Sequence, residues 1–453
     1  MLLLNLFDRF LANRKIIGLS FVLFGGPIIY FMRDGLGLAP GSSAFTAVFT
    51  VLPILLITPL SNFDRLFAPN KNMYYLCFFY LGIAVLYLFA YVGHPEYTNV
   101  VYEMVNFTLI FLLFLFLLTI SEASFEEKFL KATLIIAGLG SFLLVLYSVK
   151  NGYSFGSRAS ISFATGTRKE DAAAGNPHIY ARAAYALFFC GLMLMKSKGL
   201  WRLLGMGGAV LGFVVIAMTQ TFAAILSLLI AGLIYLLARY SVKRVLLSIF
   251  NFFFGLKGLI SMLTIGAVGF YLVNYTSLSR FYNLLTNVIL KRTTGMINLL
   301  LKNPDLLKKA AALSKTPVVD ASASTRVETI SKMFKNFSIS LDNNPLPVFF
   351  GYGYQTDWVD SPVMQAWLDM GIIPFLLYLS IVVITLRLAF KTIKYNASPA
   401  RQFVAYFIIL ISVHSFTFGM PYGTYLWFYF ALSARFLKPI SPRSQLLNHT
   451  ANA

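Results

Sequence analysis

The stretch that decides the fold runs from residue 371 to 386 and reads GIIPFLLYLSIVVITL. About fifteen residues after Gly371 are almost wholly apolar, which predicts the start of a helix that crosses a membrane. Polar chemistry lies directly before it, in Arg326, in the turn Gly351-Tyr-Gly353 and in the pair Asp360-Ser361. Polar and charged groups are costly at membrane depth, so groups in this position are candidates for function.

Similar apolar runs recur along the whole chain. Its 453 residues are 58% hydrophobic, and the mean hydropathy is +0.73. Runs of about 17 to 22 residues account for this excess, and they are too long and too irregular for the strands of a β-barrel. The sequence therefore predicts an all-α polytopic membrane protein, a single membrane domain over 1–453 with about twelve transmembrane helices. The predicted spans are 16–32, 43–60, 73–92, 100–120, 131–148, 179–195, 203–218, 222–239, 258–275, 364–388, 402–418 and 424–437.

Lysine and arginine in the short loops predict the orientation. If the twelve spans alternate, the basic residues of the short loops and of the termini all fall on one side, which is then the cytoplasmic side. Both termini are cytoplasmic in this arrangement, and two long segments, 149–178 and 276–361, face outward. The topogenic residues are Arg9, Arg14, Lys15, Lys196, Lys198, Arg202, Arg239, Lys243, Arg244, Lys257, Lys391, Lys394, Arg401, Arg435, Lys438 and Arg443.

The outer segments are also basic, and the larger one, between helices 9 and 10, is predicted to be helical over 277–301, 304–316 and 322–337. Long loops are translocated despite positive charge, so the orientation stands. The charge predicts an anionic partner outside, such as a phosphate-bearing lipid; attraction to anionic headgroups alone is the alternative. Much of the net charge of +20 is topogenic, so it does not indicate nucleic acid.

Asp360 and Arg326 are the candidate catalytic residues. Asp360 precedes Ser361-Pro362 at the start of a predicted span, where it can cap the helix, accept a proton from an attacking hydroxyl, or do both. Arg326 lies in the first turns of a predicted amphipathic helix. Its guanidinium is either solvated or clamps a phosphate with two parallel hydrogen bonds, which arginine does better than lysine.

A second group of candidates surrounds the start of the sixth predicted span. His178 and Arg182 are four residues apart, so they share one helix face, and an arginine one turn inside a membrane helix needs a partner or a ligand. Arg158 and Arg168 belong to the preceding outer segment. Each of these residues alone can be explained as solvated. Together with Arg326 they predict a positively charged pocket for a pyrophosphate.

Aromatic residues near Asp360 are candidates for binding sugar. Tyr352, Tyr354 and Trp358 can stack on sugar rings, or they can serve as anchors at the membrane interface. The four histidines show no metal-ligand spacing, and no nucleotide-binding signature is present. Cys77 and Cys190 lie in different predicted spans, where apolar packing is their expected role.

These features together resemble the Wzy-type polysaccharide polymerases and the WaaL-type O-antigen ligases. One part of the likeness is Arg326 leading a helix, followed by Asn344-Pro345 and Gly351-Tyr-Gly353. A second is Gly175-Asn176-Pro177-His178, which opens a span after an arginine-bearing outer segment. The third is Asp360-Ser361, followed after nine residues by Gly371. The predicted topology, with one large outer segment before the tenth helix, agrees.

The resemblance implies an inverting glycosyltransferase on the periplasmic face of the bacterial inner membrane. Its substrates would be undecaprenyl-pyrophosphate-linked glycans, with membrane lipids around it and a separate chain-length regulator as a possible partner. It implies no metal and no cofactor. Asp360 would orient or deprotonate the acceptor hydroxyl, while Arg158, Arg168, Arg182 and Arg326 would hold the diphosphate.

The sequence departs from the pattern of the ligases at three places. Asp360 stands where the ligases carry a histidine, Pro374 replaces a small or hydroxylated residue, and Gln220-Thr221 replaces a Ser-Arg pair. These differences favour the polymerase over the ligase. A flippase or transporter of lipid-linked sugars is the non-enzyme alternative, for which charges in the middle of the membrane and short outer loops are expected.

Overall fold

A computed structural model of the chain describes residues 2–59, 66–96, 98–151, 177–240, 254–275 and 321–437, together with Ala159, Ile161, Leu247 and Phe250. Within these ranges the chain is helical and forms no strand; the only extended pairing there is an isolated bridge between Val92 and Tyr354. The prediction of an all-α protein is confirmed.

The first half of the described chain holds nine helices. A short π-helix, Phe31–Gly35, continues the second of them. They are α1 Leu2–Phe24, α2 Gly26–Tyr30, α3 Ser43–Ile57, α4 Lys71–Ala90, α5 Val100–Leu117, α6 Glu122–Lys150, α7 Pro177–Leu194, α8 Leu200–Thr219 and α9 Phe222–Arg239.

The second half begins with a further apolar helix and ends in the bundle. Its described helices are α10 Leu256–Tyr275, α11 Ala321–Asn343, α12 Leu346–Phe350, α13 Pro362–Met370, α14 Ile372–Lys394, α15 Pro399–Thr417 and α16 Thr424–Phe436.

Seven of the described helices are long and apolar enough to cross a membrane, and the bent pair α1 and α2 can make an eighth span. The protein is therefore a polytopic membrane protein. A helix lies on each of the twelve predicted spans, but several fall short of the length and hydropathy of a complete crossing. The count of twelve stays a prediction. The seven are α4, α5, α6, α8, α9, α14 and α15.

Two predicted spans are interrupted. The stretch 364–388 consists of two helices, α13 and α14, which meet at Gly371 with φ +86. The first span bends by 69° at the break between α1 and α2, next to Pro27. The predicted helix 322–337 is confirmed and is longer, as α11. The predicted helices 277–301 and 304–316 lie outside the described residues, as do 152–158 and 162–176 of the other outer segment.

Helix α15 is the centre of the bundle. Of its most apolar 18-residue window, 83% is buried, against 22% for α9, so α9 faces outward and α15 does not. It packs against α6, α7, α9, α14 and α16. Buried aromatic rings fill the space between neighbouring helices; Tyr80 stacks on Trp427 with ring centres 5.4 Å apart.

Small residues allow the close pairing of α7 and α8. A Cβ atom at Gly191 would lie 2.5 Å from the backbone nitrogen of Ala209, and one at Gly212 would lie 2.6 Å from that of Phe188. Helices in a membrane associate through such small residues because lipid supplies no hydrophobic drive between them. This pairing fixes α7, the helix that carries His178 and Arg182.

Charged groups join the helices at the end of the bundle where α5 stops and α6 begins. Arg435 is fully buried and donates to the carbonyl oxygens of Leu117 (3.2 Å) and Ile120 (2.7 Å) and to Glu122 (3.2 Å). Arg401 pairs with the same carboxylate at 2.5 Å. A buried arginine is tolerated in this position because each of the three guanidinium nitrogens has a hydrogen-bond acceptor.

The segment before α13 is pressed against that helix by glycines. Tyr352 and Gly353 donate backbone hydrogen bonds to the carbonyls of Leu368 and Asp369, at 2.8 and 3.0 Å. Gly351 has φ +75 and lies directly on the backbone of Asp369. A Cβ atom at Gly371 would overlap the carbonyl oxygen of Phe349. The turn Gly351-Tyr-Gly353 therefore fixes the position of α13, and with it Asp360.

We predict that Gly371→Ala lowers the apparent melting temperature of the protein in detergent. The left-handed backbone alone costs a side chain about 1–3 kcal/mol, and the overlap with Phe349 adds to it. Gly82→Ala is the matched control, because Gly82 lies in α4 with nothing within 4 Å of its Cβ position. There alanine should be neutral or stabilise by up to about 1 kcal/mol. Equal melting temperatures for the two variants would contradict the packing described here.

Candidate functional site

The residues between α15 and α16, 418–423, form a connecting loop that Asp360 holds in place. Asp360 has φ +54, and its Oδ1 accepts a hydrogen bond from the backbone N–H of Gly419 at 3.0 Å. The residue at the N-cap of α13 is Ser361, whose side chain makes no capping bond. The carboxylate of Asp360 therefore reaches across to the connecting loop instead of capping its own helix.

Arg182 lies on the opposite side of the same region. Its guanidinium carbon is 4.2 Å from the centre of the Tyr425 ring, a cation–π contact with the first turn of α16. The Nη1 atom is buried, and within the described part of the chain it has no hydrogen-bond partner. A buried cationic donor without an acceptor is costly, so this position favours an anionic ligand.

Two histidines complete the group around Arg182. His178 stacks on Phe418 with ring centres 3.9 Å apart, and it meets His414 edge to face at 5.9 Å. His414 is 1% exposed, and its Nδ1 atom has no hydrogen-bond partner among the described residues. We call His178, Arg182, His414 and Tyr425 the arginine cluster.

Tyr425 connects the arginine cluster to Asp360. It is close enough to interact electrostatically with both Arg182 and Asp360. Its hydroxyl donates to the carbonyl of Phe418 at 3.0 Å and touches Gly419, the residue that Asp360 binds. Of the predicted site residues, the structure thus brings His178, Arg182 and Asp360 together around one loop.

A cavity of about 180 Å³ opens beside Arg182. It lies between the bent α1–α2 pair, α3, α7 and α16, and its walls are mostly apolar and aromatic. Apolar walls with a few converging polar groups are typical of ligand sites, and the volume suits one head group better than a whole glycan. The polar lining residues are Tyr30, Thr46, Thr50, Arg182, Tyr425 and Tyr429.

An ion pair that was not predicted from the sequence lies next to this cavity. Arg33 and Asp34, in the π-helix after α2, pair at 2.6 Å, and Arg33 also donates to Thr46 at 2.9 Å. The Arg33 guanidinium lies 4.3 Å from the centre of the Tyr30 ring. Helices of this rare type occur often at functional sites. A signal was present in the sequence, since two adjacent opposite charges end the first predicted span.

Asp369 was also missed, although it is a fully buried carboxylate, at the other end of α13 from Asp360. Its Oδ2 accepts from the Tyr422 hydroxyl at 2.7 Å, and its Oδ1 accepts from Gln365 Nε2 at 2.8 Å and from the N–H of Thr356 at 3.2 Å. A lone carboxylate within the predicted span 364–388 was the available signal.

The three candidate sugar-binding aromatics lie in different environments. Tyr354 is fully buried, and its hydroxyl donates to Glu103 at 3.0 Å. Tyr352 is partly buried, stacks on Phe337 and bonds to Ser340 at 2.6 Å. Trp358 is 56% exposed, so among the three it alone presents an open ring. Sugar binding stays a prediction, and Trp358 is the residue that can support it.

The remaining candidates are only partly visible. Arg158 and Arg168 lie outside the described residues. Arg326 lies in the second turn of α11, and its side chain also lies outside what is described. In the described ranges no group of three His, Cys, Asp or Glu side chains is arranged to hold a metal ion.

The chain matches no protein-family model and no curated protein.

We predict that inorganic pyrophosphate raises the melting temperature of the purified protein and that Arg182→Ala removes the effect. A charged hydrogen bond contributes about 1.5–3 kcal/mol, so affinity should fall at least tenfold. Arg182→Lys keeps the charge without the planar fork, and its affinity should be intermediate. The control is Arg202→Ala, which removes an exposed arginine from the first turn of α8. Equal stabilisation of both alanine variants by pyrophosphate would show that Arg182 does not bind the anion.

Proposed function

We propose that the protein is a glycosyltransferase that polymerises undecaprenyl-pyrophosphate-linked oligosaccharide repeat units. The observation that carries the proposal is Arg182. A guanidinium with a buried nitrogen that has no partner among the described residues lines a cavity within a membrane bundle, next to the loop that Asp360 holds. A lipid diphosphate combines the apolar and anionic chemistry that such a site can bind.

In the proposed reaction, the hydroxyl oxygen of one lipid-linked repeat unit attacks the anomeric carbon of another glycan. The bond from that carbon to the pyrophosphate oxygen breaks, and the pyrophosphate leaves with the electron pair, with inversion at the anomeric carbon. Asp360 accepts the hydroxyl proton or orients the hydroxyl. Arg182 stabilises the negative charge that develops on the leaving group, and Arg326, Arg158 and Arg168 are proposed to assist it.

We place this chemistry on the periplasmic side of a bacterial inner membrane. If twelve spans alternate from a cytoplasmic N-terminus, the start of α7, Asp360 and the connecting loop all lie at the outer ends of their spans. The contacts among them support this assignment, because ends predicted to face the same side meet. The pair of Arg435 and Glu122 lies at the opposite, predicted cytoplasmic end.

A ligase that transfers the glycan to lipid A-core is the second candidate. Two histidines, His178 and His414, lie in the arginine cluster, so imidazole groups that can act as a base are present there. Because Asp360 stands where the ligases carry a histidine, the polymerase remains the favoured function. A flippase moves the lipid-linked unit without forming a glycosidic bond, so it needs no such base.

We predict that purified protein in vesicles converts lipid-linked repeat units into long glycan chains. Asp360→Asn and Arg182→Ala should each lower the rate at least a hundredfold, the range expected for losing a general base or charge stabilisation of the leaving group. Asp357→Asn and Arg202→Ala are the matched charge controls, since both side chains are exposed, and they should retain wild-type chain lengths. Gel electrophoresis of the products gives the measurement.

Each alternative has its own product. Single transfer to lipid A-core without polymer identifies a ligase, and movement of the lipid-linked unit across the membrane without a new glycosidic bond identifies a flippase. Wild-type chain lengths from both Asp360→Asn and Arg182→Ala would show that these residues do not form the active site, although the protein is a polymerase.

A further inference from the structure

The connecting loop 418–423 is held by two carboxylates from the same short helix region. Asp360, just before α13, binds the N–H of Gly419, while Asp369, in the last turn of α13, accepts the hydroxyl of Tyr422. The two carboxylates thus bind opposite ends of the loop. A third bond, from Trp427 Nε1 to the carbonyl of Pro421 at 2.7 Å, ties the middle of the loop to α16.

We infer that Asp369 is a positioning residue that sets the connecting loop through Tyr422 and thereby places Asp360 and Tyr425 for the proposed reaction. The inference rests on the proposed function for its catalytic readout. Its structural part, the control of the loop by the Asp369–Tyr422 bond, stands independently of what the protein catalyses.

A packing role alone does not explain a carboxylate at position 369. Asp369 is fully buried, and burying a carboxylate is costly unless its oxygens are bonded. Its Oδ1 accepts from two donors and its Oδ2 accepts from a third. An asparagine can accept on one side only, so it must turn a donor toward Tyr422 and reverse that bond. The carboxylate is thus suited to accept from α13 and from the loop at once.

The loop can be followed directly by thiol labelling. Cys77 and Cys190 are fully buried, so they should not react with a maleimide. Met420→Cys then places a single, partly exposed reporter thiol in the connecting loop. In this background Asp369→Asn and Tyr422→Phe should each raise the maleimide labelling rate at least fivefold, and Asp357→Asn should leave it unchanged. The double variant should label no faster than the single variants, because both substitutions change the same bond between positions 369 and 422.

The same variants, without the reporter, are assayed for polymerisation. Asp369→Asn and Tyr422→Phe should lower kcat at least tenfold and change KM for the lipid-linked donor less than threefold. Tyr422→Phe keeps the carboxylate and provides the test if Asp369→Asn fails to fold.

The outcomes separate the inference from the function. Unchanged labelling in both variants overturns the inference, as does a raised KM with unchanged kcat. Faster labelling in the variants, with no polymer from the wild type, supports the positioning of the loop and overturns the proposed function.

Discussion

The structure depends on the requirement that polar groups buried inside a membrane bundle find partners within the protein. At one end of the bundle, Arg435 satisfies this requirement, because it donates to two carbonyl oxygens and to Glu122. At the other end, Asp369 satisfies the requirement by accepting from three donors. Arg182 Nη1 and His414 Nδ1, in contrast, have no hydrogen-bond partner among the described residues. This difference separates a structural arginine from one that is available for a ligand.

Backbone geometry places Asp360, the carboxylate proposed to be catalytic, against that site. Gly351 and Gly371 allow the chain to press against the C-terminal end of α13, and Asp360 lies just before the other end of that helix. Asp360 then takes a left-handed conformation and binds the connecting loop. Such strain persists only where the surroundings enforce it, and it is common at functional sites. The proposed site is therefore held by backbone contacts as well as by charges.

The sequence predicted the helices well because hydropathy is a local property. A helix lies on every predicted span, and α11 covers the helix predicted over 322–337. The break at Gly371 was not predicted, since the composition stays apolar across it and a hydropathy window does not detect a positive φ. The interactions between distant segments were equally invisible, because they depend on tertiary packing.

Single residues of the site show the same limit. Asp360 is next to a helix start and was a reasonable cap, yet its partner Gly419 is 59 residues away. Tyr354 was expected to expose its ring to a sugar or to the membrane interface, yet it is buried and bonded to Glu103, 251 residues away. His178 and Arg182 could be found because their cost at the start of a span is a local property. Asp369 and Arg33 also have local signals, a lone carboxylate in an apolar window and one of two adjacent opposite charges at the end of a span.

The central claim is that the arginine cluster binds the diphosphate of a lipid-linked glycan. An electron cryomicroscopy map of the protein in nanodiscs that contain undecaprenyl pyrophosphate tests it most directly. The claim predicts diphosphate density within hydrogen-bonding distance of Arg182, with the prenyl chain leaving along the cavity between α1, α3 and α16. Diphosphate density elsewhere, with the arginine cluster empty, would contradict it.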